Sequence, residues 1–313
     1  MMPEAKSAEA SAWPALPLKE WEPTRATLHM WVQMAGKVRI ALSPRINHWW
    51  DATLYVNNSG LTTSLIPYGQ RAFEIQFDFL RHVLEIRTCE GDSRTIKLAP
   101  KSVAQFYQEF MGALASLGFP VKIWPMPVEV PNPIRFDQDR THASYDPEYT
   151  NRFWRTLVSV DSVFKEFRTR FIGKSSPAHL FFGSFDLAVT RFSGRRAPER
   201  PGADAVTREA YSHEVISAGF WPGNEGVIDA AFYAYAAPEP PGFAEAQLRP
   251  AAAFYNKQMS EFFLPYEDVR RNPDPRASLL DFLQTSYEAA ADRAGWDRAS
   301  LERQPNTNKE SVA

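Results

Sequence analysis

The stretch from Gly173 to Arg196 places ionisable residues in an apolar run that is typical of a buried strand. Its chemistry-bearing side chains are His179, Asp186, Arg191, Arg195 and Arg196. A strand normally buries one of its two faces, and charged groups beside phenylalanines must be paired or lose hydration. Imidazole titrates near neutrality, and the arginine fork suits a carboxylate or phosphate. The stretch therefore predicts an acid–base site beside an anion-binding group.

Two further histidines extend the predicted catalytic set. His213 lies in a second apolar and aromatic segment, and His142 lies in the loop 137–146, which carries three carboxylates. We expect His179 and His213 to act as acid–base groups or metal ligands, with His142 as another catalytic candidate. For His142, the alternative is a structural hydrogen bond that holds its loop.

Asp186 is expected to orient a histidine or to ligate a metal. Its alternative is a buried ion pair with Arg191 or Arg195 that holds the strands together. Arg191, Arg195 and Arg196 are expected to hold the anion of a substrate, and a solvated turn is the alternative for this group.

Aromatic residues supply the predicted walls of the pocket. His48 is flanked by indole rings, so its imidazole should be partly desolvated and its pKa shifted. The predicted substrate-binding residues other than the arginines are His48, Trp49, Trp50 and Trp221.

No metal or cofactor can be assigned from spacing. Two histidines and a carboxylate would suffice for a non-haem metal, but the chain contains no His-x-x-x-His, His-x-Asp or Cys-x-x-Cys pattern. The Gly173-Lys174-Ser175 sequence resembles the end of a phosphate-binding loop, yet the upstream glycine is absent and a helix is predicted before it. Ser184 lacks the second glycine of a nucleophile elbow.

Composition excludes several classes of partner. The 313 residues carry 35 Lys and Arg against 37 Asp and Glu, so no global positive field would recruit nucleic acid. No apolar run is long enough to cross a membrane, and the first residues lack the apolar segment of a signal peptide. The single cysteine, Cys89, cannot form an internal disulfide. We therefore expect a cytoplasmic protein with no nucleic-acid or membrane partner and with a small-molecule ligand.

The predicted elements give an α+β fold with antiparallel meander sheets. Helices are predicted at 101–117, capped by Ser102, and at about 147–172 and 275–291, each opened by Asp-Pro. Another is predicted at about 24–41, where part of the apolar pattern also alternates like a strand. Strands are predicted at 52–57, 61–66, 72–79, 83–88, 95–98, 179–192, 211–220, 227–236 and 252–264.

Each half of the chain reads as a helix, several strands and a helix, which suggests a tandem duplication. Gly36-Lys37 with a following Ser-Pro and His48 resembles Gly173-Lys174 with a following Ser-Pro and His179. We predict repeats at 13–120 and 146–297, a proline-rich strap at 121–145, and disordered tails at 1–12 and 298–313. The two sheets should join or face each other about a pseudo-twofold axis.

The chain resembles the bacterial proteins grouped as domain of unknown function family 5996. The similarity covers nearly everything from Trp13 to about Leu301. It implies one full-length module and assigns no catalytic residue. The motifs that carry it are Thr27–Trp31, Asn47–Trp50, Leu61–Gly69, His142–Asp146, the block 173–198 and Tyr211–Gly223.

The leading functional hypothesis is a cytoplasmic enzyme that acts on a small anionic metabolite in an aromatic-lined pocket between the halves. A non-catalytic binding or sensor protein and an interaction scaffold are the alternatives. An enzyme needs His179 and His213 at one cavity, whereas a binder needs only aromatic residues and arginines there. Whether the protein is an enzyme, its reaction and its oligomeric state stay open.

Overall fold

The computed structural model describes residues 11–224 and 229–303. Its strands form one sheet in the order β10-β11-β9-β8-β7-β6-β1-β2-β3-β4-β5, and every pairing is antiparallel. The strands are β1 (Thr53–Val56), β2 (Gly60–Tyr68), β3 (Arg71–Asp78), β4 (Val83–Thr88), β5 (Ser93–Lys97), β6 (His179–Phe181), β7 (Asp186–Arg196), β8 (His213–Trp221), β9 (Ala231–Ala237), β10 (Phe254–Asn256) and β11 (Glu261–Pro265).

Long helices pack on this sheet. Shorter helical turns lie in the connections between these elements and at the end of the described chain. The helices are α1 (Leu18–Leu42), α2 (Val103–Ser116), α3 (Pro147–Thr169), α4 (Ala205–Ala210), α5 (Tyr266–Arg270), α6 (Pro275–Arg293) and α7 (Arg298–Leu301), with a 3-10 turn at Asn47–Trp49. The predicted α+β class is therefore confirmed, and the ambiguous first segment is a helix. No described helix is both long and apolar enough to span a bilayer.

The predicted helix starts depend on side-chain caps that the structure contains. Ser102 accepts a hydrogen bond from the Gln105 amide at the start of α2. Asp146 opens α3 and Asp274 opens α6 in the same way, with proline following each cap. These bonds satisfy amides that have no partner within the helix, which is why the caps can be identified from sequence.

The two halves meet through a short pairing between the first strand of each. Thr53 of β1 lies opposite Phe181 of β6, and Leu54 lies opposite Leu180. The expected pair of sheets is thus joined into one continuous sheet. The tandem duplication and the domain boundaries stay predictions. The first half contributes five strands to the sheet and the second half contributes six.

Several predicted strands differ in detail. The run 179–192 is divided by a tight turn, 182–185, and the run 252–264 is divided into β10 and β11. The run 211–220 begins after α4, which the sequence does not predict, and part of the run 227–236 lies outside the described residues. Alternating apolar residues continue through such turns, so their pattern does not reveal the break.

The described residues include the start of the second predicted tail, 298–303. Residues 298–301 form α7, which Asp297 caps through the Ser300 amide. Arg298 binds Glu302, and the Ile172 amide donates to the Leu301 carbonyl. The polar composition of this segment gives no indication of the helical turn in the sequence. The positions 1–10 and 304–313 of the two predicted tails lie outside the described residues.

The strap between the halves contains turns but no helix or strand from 121 to 145. Gln33 of α1 holds it, because the Gln33 side chain accepts from the Val128 amide and donates to the Val128 carbonyl. Prolines prevent regular structure here, as the sequence predicts.

Candidate functional site

Alternation along β7 separates two faces of the sheet. Leu187, Val189 and Arg191 point to the face covered by α3 and α6, where Arg191 packs on Phe167. The intervening residues point to the opposite face, which we call the outer face. His179 pairs with Ala188 across β6 and β7, so His179 also belongs to the outer face.

The outer face meets the first half of the chain at the 3-10 turn before β1. His48 and Trp49 in this turn both have φ of 59°, in the left-handed region. This conformation is uncommon for histidine and more so for a bulky tryptophan, so it persists only where surrounding contacts impose it. Trp49 receives such a contact from Arg45, whose guanidinium carbon lies 3.4 Å from the ring centroid. The buried indole nitrogen of Trp49 has no hydrogen-bond partner among the described residues.

Hydrogen bonds fix the tautomer of His48. Its Nδ1 lies 3.2 Å from the carbonyl oxygens of Glu209 and Ala210 at the end of α4. A carbonyl only accepts, so Nδ1 carries the proton and Nε2 presents a lone pair. The Nζ of Lys174 lies 2.7 Å from that Nε2 and donates to it. Lys174 and His48 therefore form a hydrogen-bonded amine–imidazole pair.

Lys174 is placed by a segment that runs beside β7 just before β6. The Phe192 amide donates to the Lys174 carbonyl, and the Ser176 amide donates to the Thr190 carbonyl. The Lys174 Nζ lies 4.7 Å from the Phe192 ring centroid and 5.2 Å from that of Trp50. Desolvation lowers the pKa of Lys174, although the residue as a whole remains exposed.

His213 and Arg196 complete what we call the cationic cluster: His48, Lys174, His213 and Arg196. The rings of His48 and His213 lie 5.6 Å apart edge to face, and His213 lies opposite Arg196 across β8 and β7. Burial, and then the charge of Lys174, lowers the pKa of His48. Burial also lowers the pKa of His213, followed by the charges of Lys174 and Arg196.

His179 joins this cluster through Trp50, whose ring centroid lies 5.3 Å away. The residue is 1% exposed, and its Nδ1 has no partner in the described chain. Burial, followed by the charges of Arg39 and Arg168, lowers the pKa of His179 to about 3. A neutral imidazole with so low a pKa is poorly matched to proton transfer near neutrality.

Asp186 lies elsewhere on the outer face and has no ion-pair partner among the described residues. It accepts hydrogen bonds from the hydroxyls of Ser184 and Tyr233. Tyr233 is on β9 and reaches Asp186 on β7 by crossing β8 at Gly219. A Cβ at Gly219 would lie 2.4 Å from the Tyr233 hydroxyl, so this crossing requires glycine. The alternative pairing of Asp186 with Arg191 or Arg195 is wrong, because Arg191 points to the other face and Arg195 pairs with Glu214.

Other acids surround Asp186, forming what we call the carboxyl–tyrosine cluster: Asp186, Glu129, Glu261, Tyr233 and Tyr235. Burial, and then the charge of Asp186, raises the pKa of Glu261 to about 7 and raises that of Glu129. Burial also raises the pKa of Asp186 itself. The rings of Tyr233 and Tyr235 stack with centroids 6.1 Å apart. The two clusters occupy different parts of the outer face.

The three predicted anion-binding arginines do not converge. Arg191 is 1% exposed between α3 and α6, bonds the Phe167 carbonyl and stacks on the Tyr287 ring at 4.3 Å. Arg195 binds Glu214 and the carbonyls of Ala294 and Gly295. The pairing of β7 with β8 shifts its register between Phe192 and Arg196, so Arg195 and Arg196 do not continue the alternation that places Arg191. Of the three arginines, Arg196 is the one beside the predicted histidines.

His142 lies in a different region, near α1 and α2. Its Nδ1 is 2.6 Å from the buried Asp139 carboxylate, and its carbonyl accepts from Val103. The Asp139 hydrogen bond raises the pKa of His142 against partial burial. These contacts fit the structural alternative for His142, which holds the loop onto the start of α2.

Trp221 is at the end of β8 on the outer face, opposite Ala231 of β9. Two surface clefts are present whose linings include no member of either cluster. One of about 220 Å³ is lined by β8, β9 and the end of α6, and one of about 530 Å³ lies between α2 and residues 137–140.

The predicted metal-ligand roles gain no support from this geometry. Within residues 11–224 and 229–303, no three His, Cys, Asp or Glu side chains are grouped so that they could hold a metal ion.

Sequence reasoning misses Lys174, Phe192 and Tyr233 as members of these clusters. A signal for Lys174 is present, because the lysine precedes the His179 strand and matches Lys37 in the proposed repeat. Its resemblance to an incomplete phosphate-binding loop conceals that signal. Tyr233 reaches Asp186 across an intervening strand, which no spacing rule displays.

Comparison with known proteins adds the family and no activity. No curated protein and no solved structure matches the chain. A family model described as a family of unknown function (DUF5996) matches residues 13–303. The protein therefore belongs to this family, as the sequence motifs predict.

Proposed function

We propose that the cationic cluster binds a small organic anion at the junction of the two halves, and that the His48–Lys174 pair moves a proton on it. The observation that carries the proposal is the 2.7 Å contact between Lys174 Nζ and His48 Nε2, with His213 and Arg196 beside it. In the described chain, none of these four side chains has a carboxylate within ion-pair distance.

Electrostatics supports an anionic ligand. Four groups that are positive or can become positive are placed together. The charges of Lys174 and His213 contribute to lowering the pKa of His48, and those of Lys174 and Arg196 contribute to lowering the pKa of His213. A bound carboxylate or phosphate would relieve this repulsion and accept several charge-assisted hydrogen bonds.

The aromatic side chains support an organic ligand over a bare inorganic ion. Trp50 and Phe192 flank the Lys174 amine, and their rings lie 6.0 Å apart at a steep angle. Such surfaces pack against the apolar part of a ligand while the cations fix its charged end.

The fixed tautomer of His48 favours catalysis over simple binding. An Nε2 lone pair held beside an amine is the arrangement of a base next to the group it activates. Enzyme action, a cytoplasmic location and the small-molecule ligand remain parts of this proposal. The sensor alternative keeps the same anion site without turnover.

Calorimetric titration at low salt tests the proposal with pyruvate, lactate and inorganic phosphate as probes. We expect the wild type to bind an organic anion, and Arg196→Gln to weaken binding by about tenfold, as loss of one charge-assisted contact predicts. Arg94→Gln makes the same charge change on the exposed edge strand β5 and should leave binding unchanged. Absence of binding, or equal weakening in both variants, would overturn the proposal.

A further inference from the structure

We propose that Lys174 is a nucleophile that forms an imine with the carbonyl carbon of a small anionic aldehyde or ketone, such as a 2-oxo acid. This inference rests on the proposed function, because the cationic cluster must first hold the carboxylate of the substrate. It adds the substrate class and a covalent step.

The first support is the geometry of nucleophile and base. An amine attacks a carbonyl only as the free base, so a lysine nucleophile needs a neighbour that removes its proton. His48 Nε2 accepts from Lys174 at 2.7 Å, within the range for direct proton transfer. In the neutral ring, the carbonyls of Glu209 and Ala210 hold the proton on Nδ1, which leaves the lone pair on Nε2.

The second support is the surroundings of the amine. Trp50 and Phe192 partly desolvate the Lys174 amine, and no described carboxylate stabilises its charged form. Both conditions favour a neutral amine, which is the reactive species. Lys174 nevertheless remains exposed, so a small carbonyl compound can reach it.

The third support is the position of the other cations. His213 and Arg196 lie beside the pair, and neither has a carboxylate as an ion-pair partner among the described residues. A 2-oxo acid has its carboxylate next to its carbonyl carbon, so an anion held here brings the carbonyl to the amine. This matches one short ligand to all four side chains.

The step balances without an external oxidant or reductant. The Lys174 nitrogen lone pair attacks the carbonyl carbon, the carbonyl π pair becomes an oxyanion, and the amine proton passes to His48 Nε2. His48 returns that proton to the oxyanion, which gives a neutral carbinolamine with a hydroxyl group. The remaining proton on nitrogen then passes through His48 to this hydroxyl, which leaves as water when the carbon–nitrogen double bond forms. The nitrogen lone pair thus replaces the carbon–oxygen bond, and one water is released.

Reductive trapping tests the inference on the full chain. The protein is incubated with pyruvate and cyanoborohydride, and the modified lysine is located by peptide mass mapping. The expected adduct adds the mass of pyruvic acid less one oxygen to Lys174. Lys37 is the matched internal control, since burial lowers the pKa of Lys37 to about 8 but it faces Trp124 rather than a histidine.

Two variants separate the roles. Lys174→Arg keeps a positive charge at an exposed position and should abolish the adduct. His48→Asn should slow trapping by roughly a hundredfold, the lower end for loss of a general base. Thermal unfolding of both variants checks that they fold. If His48→Asn does not fold, Lys174→Arg alone tests whether Lys174 forms the adduct.

The outcomes distinguish this inference from the proposed function. Lactate lacks the carbonyl, so it should bind and leave no adduct. If pyruvate binds but no adduct forms, or if Lys37 and other lysines are trapped as fast as Lys174, the imine is ruled out and the anion site stands. If neither anion binds, the proposed function fails and the imine proposal fails with it.

Discussion

The Nζ of Lys174 and the Nε2 of His48 are 2.7 Å apart although 126 positions separate the two residues in sequence. One belongs to the approach to β6 and the other to the turn before β1, so this contact joins the halves. Its electrostatic consequence is measurable without knowledge of the ligand.

Replacing Lys174 by Met should raise the pKa of His48. Burial lowers that pKa first and the Lys174 charge lowers it further, so removing the charge restores part of the shift. Nitrogen-15 NMR titration of the imidazole measures the change. Arg196→Met removes a charge that acts on His213 instead, and an equal effect of both variants on His48 would contradict the assigned geometry.

His142→Gln should destabilise the protein more in weak acid than in weak base. Asp139 raises the pKa of His142 in the folded state, so the pair stabilises fully below the ordinary histidine pKa, about 6.5. That contribution is lost as pH rises through the raised value. We expect less than about 1 kcal/mol, because the His142 side chain is 36% exposed.

Urea unfolding of wild type and His142→Gln at a series of pH values provides this measurement. A difference that grows with rising pH would be opposite in sign and would exclude the ion pair. Asp139→Asn removes the other partner of the pair and should abolish the same pH dependence of the free energy of unfolding.

Glu261→Gln should stabilise the protein at alkaline pH and have little effect in acid. Burial followed by Asp186 raises the pKa of Glu261 from 4.5 to about 7, so the folded state favours the protonated carboxyl. The associated stability is present below the unfolded pKa and is lost as pH rises through about 7. Above that value the charged form costs up to about 3 kcal/mol, because each tenfold loss of acidity corresponds to about 1.4 kcal/mol.

The same unfolding experiment tests Glu261→Gln at acid and alkaline pH. Glu199→Gln is the control, since Glu199 is exposed on the surface. If the two substitutions change the free energy of unfolding equally at alkaline pH, the carboxyl–tyrosine cluster does not raise the pKa of Glu261.

Gly219→Ala should destabilise the protein by about 1–3 kcal/mol, the usual range for overpacking a filled interior. The added methyl would lie 2.4 Å from the Tyr233 hydroxyl and would displace it from Asp186. Gly112→Ala is the matched control, because nothing lies within 4 Å of its added carbon. In the middle of α2, that change should stabilise by about 1 kcal/mol. Thermal unfolding of both variants makes the comparison, and similar losses in both would contradict the close crossing.

Much of the fold is predictable from sequence because it depends on local signals. The Asp-Pro caps of α3 and α6 satisfy helix amides within a few residues, and the meander strands follow short turns. The turn at 182–185 is hidden because its apolar residues continue the strand pattern, and His29 holds it through the Phe182 and Gly183 carbonyls from a distant helix.

The site is predictable only in part. His48, Trp50, His179 and His213 do form one chain of ring contacts, which the aromatic neighbours suggest. The arginines diverge because strand parity and the register shift after Phe192 decide their faces. Sequence spacing alone does not determine such a shift, since it depends on how β8 pairs with β7.

The pairing of β1 with β6 makes the cationic cluster a late product of folding. Only two residue pairs define this register, and they close a loop of well over a hundred residues. The other pairings join strands that follow each other in the chain, except for β9 with β11. Loop closure of that length is entropically expensive, so local hairpins form sooner. Any ligand that bridges His48 and Lys174 would then stabilise the pairing of the two halves. Its binding free energy would add to the resistance of the joined sheet to mechanical force and to proteolysis.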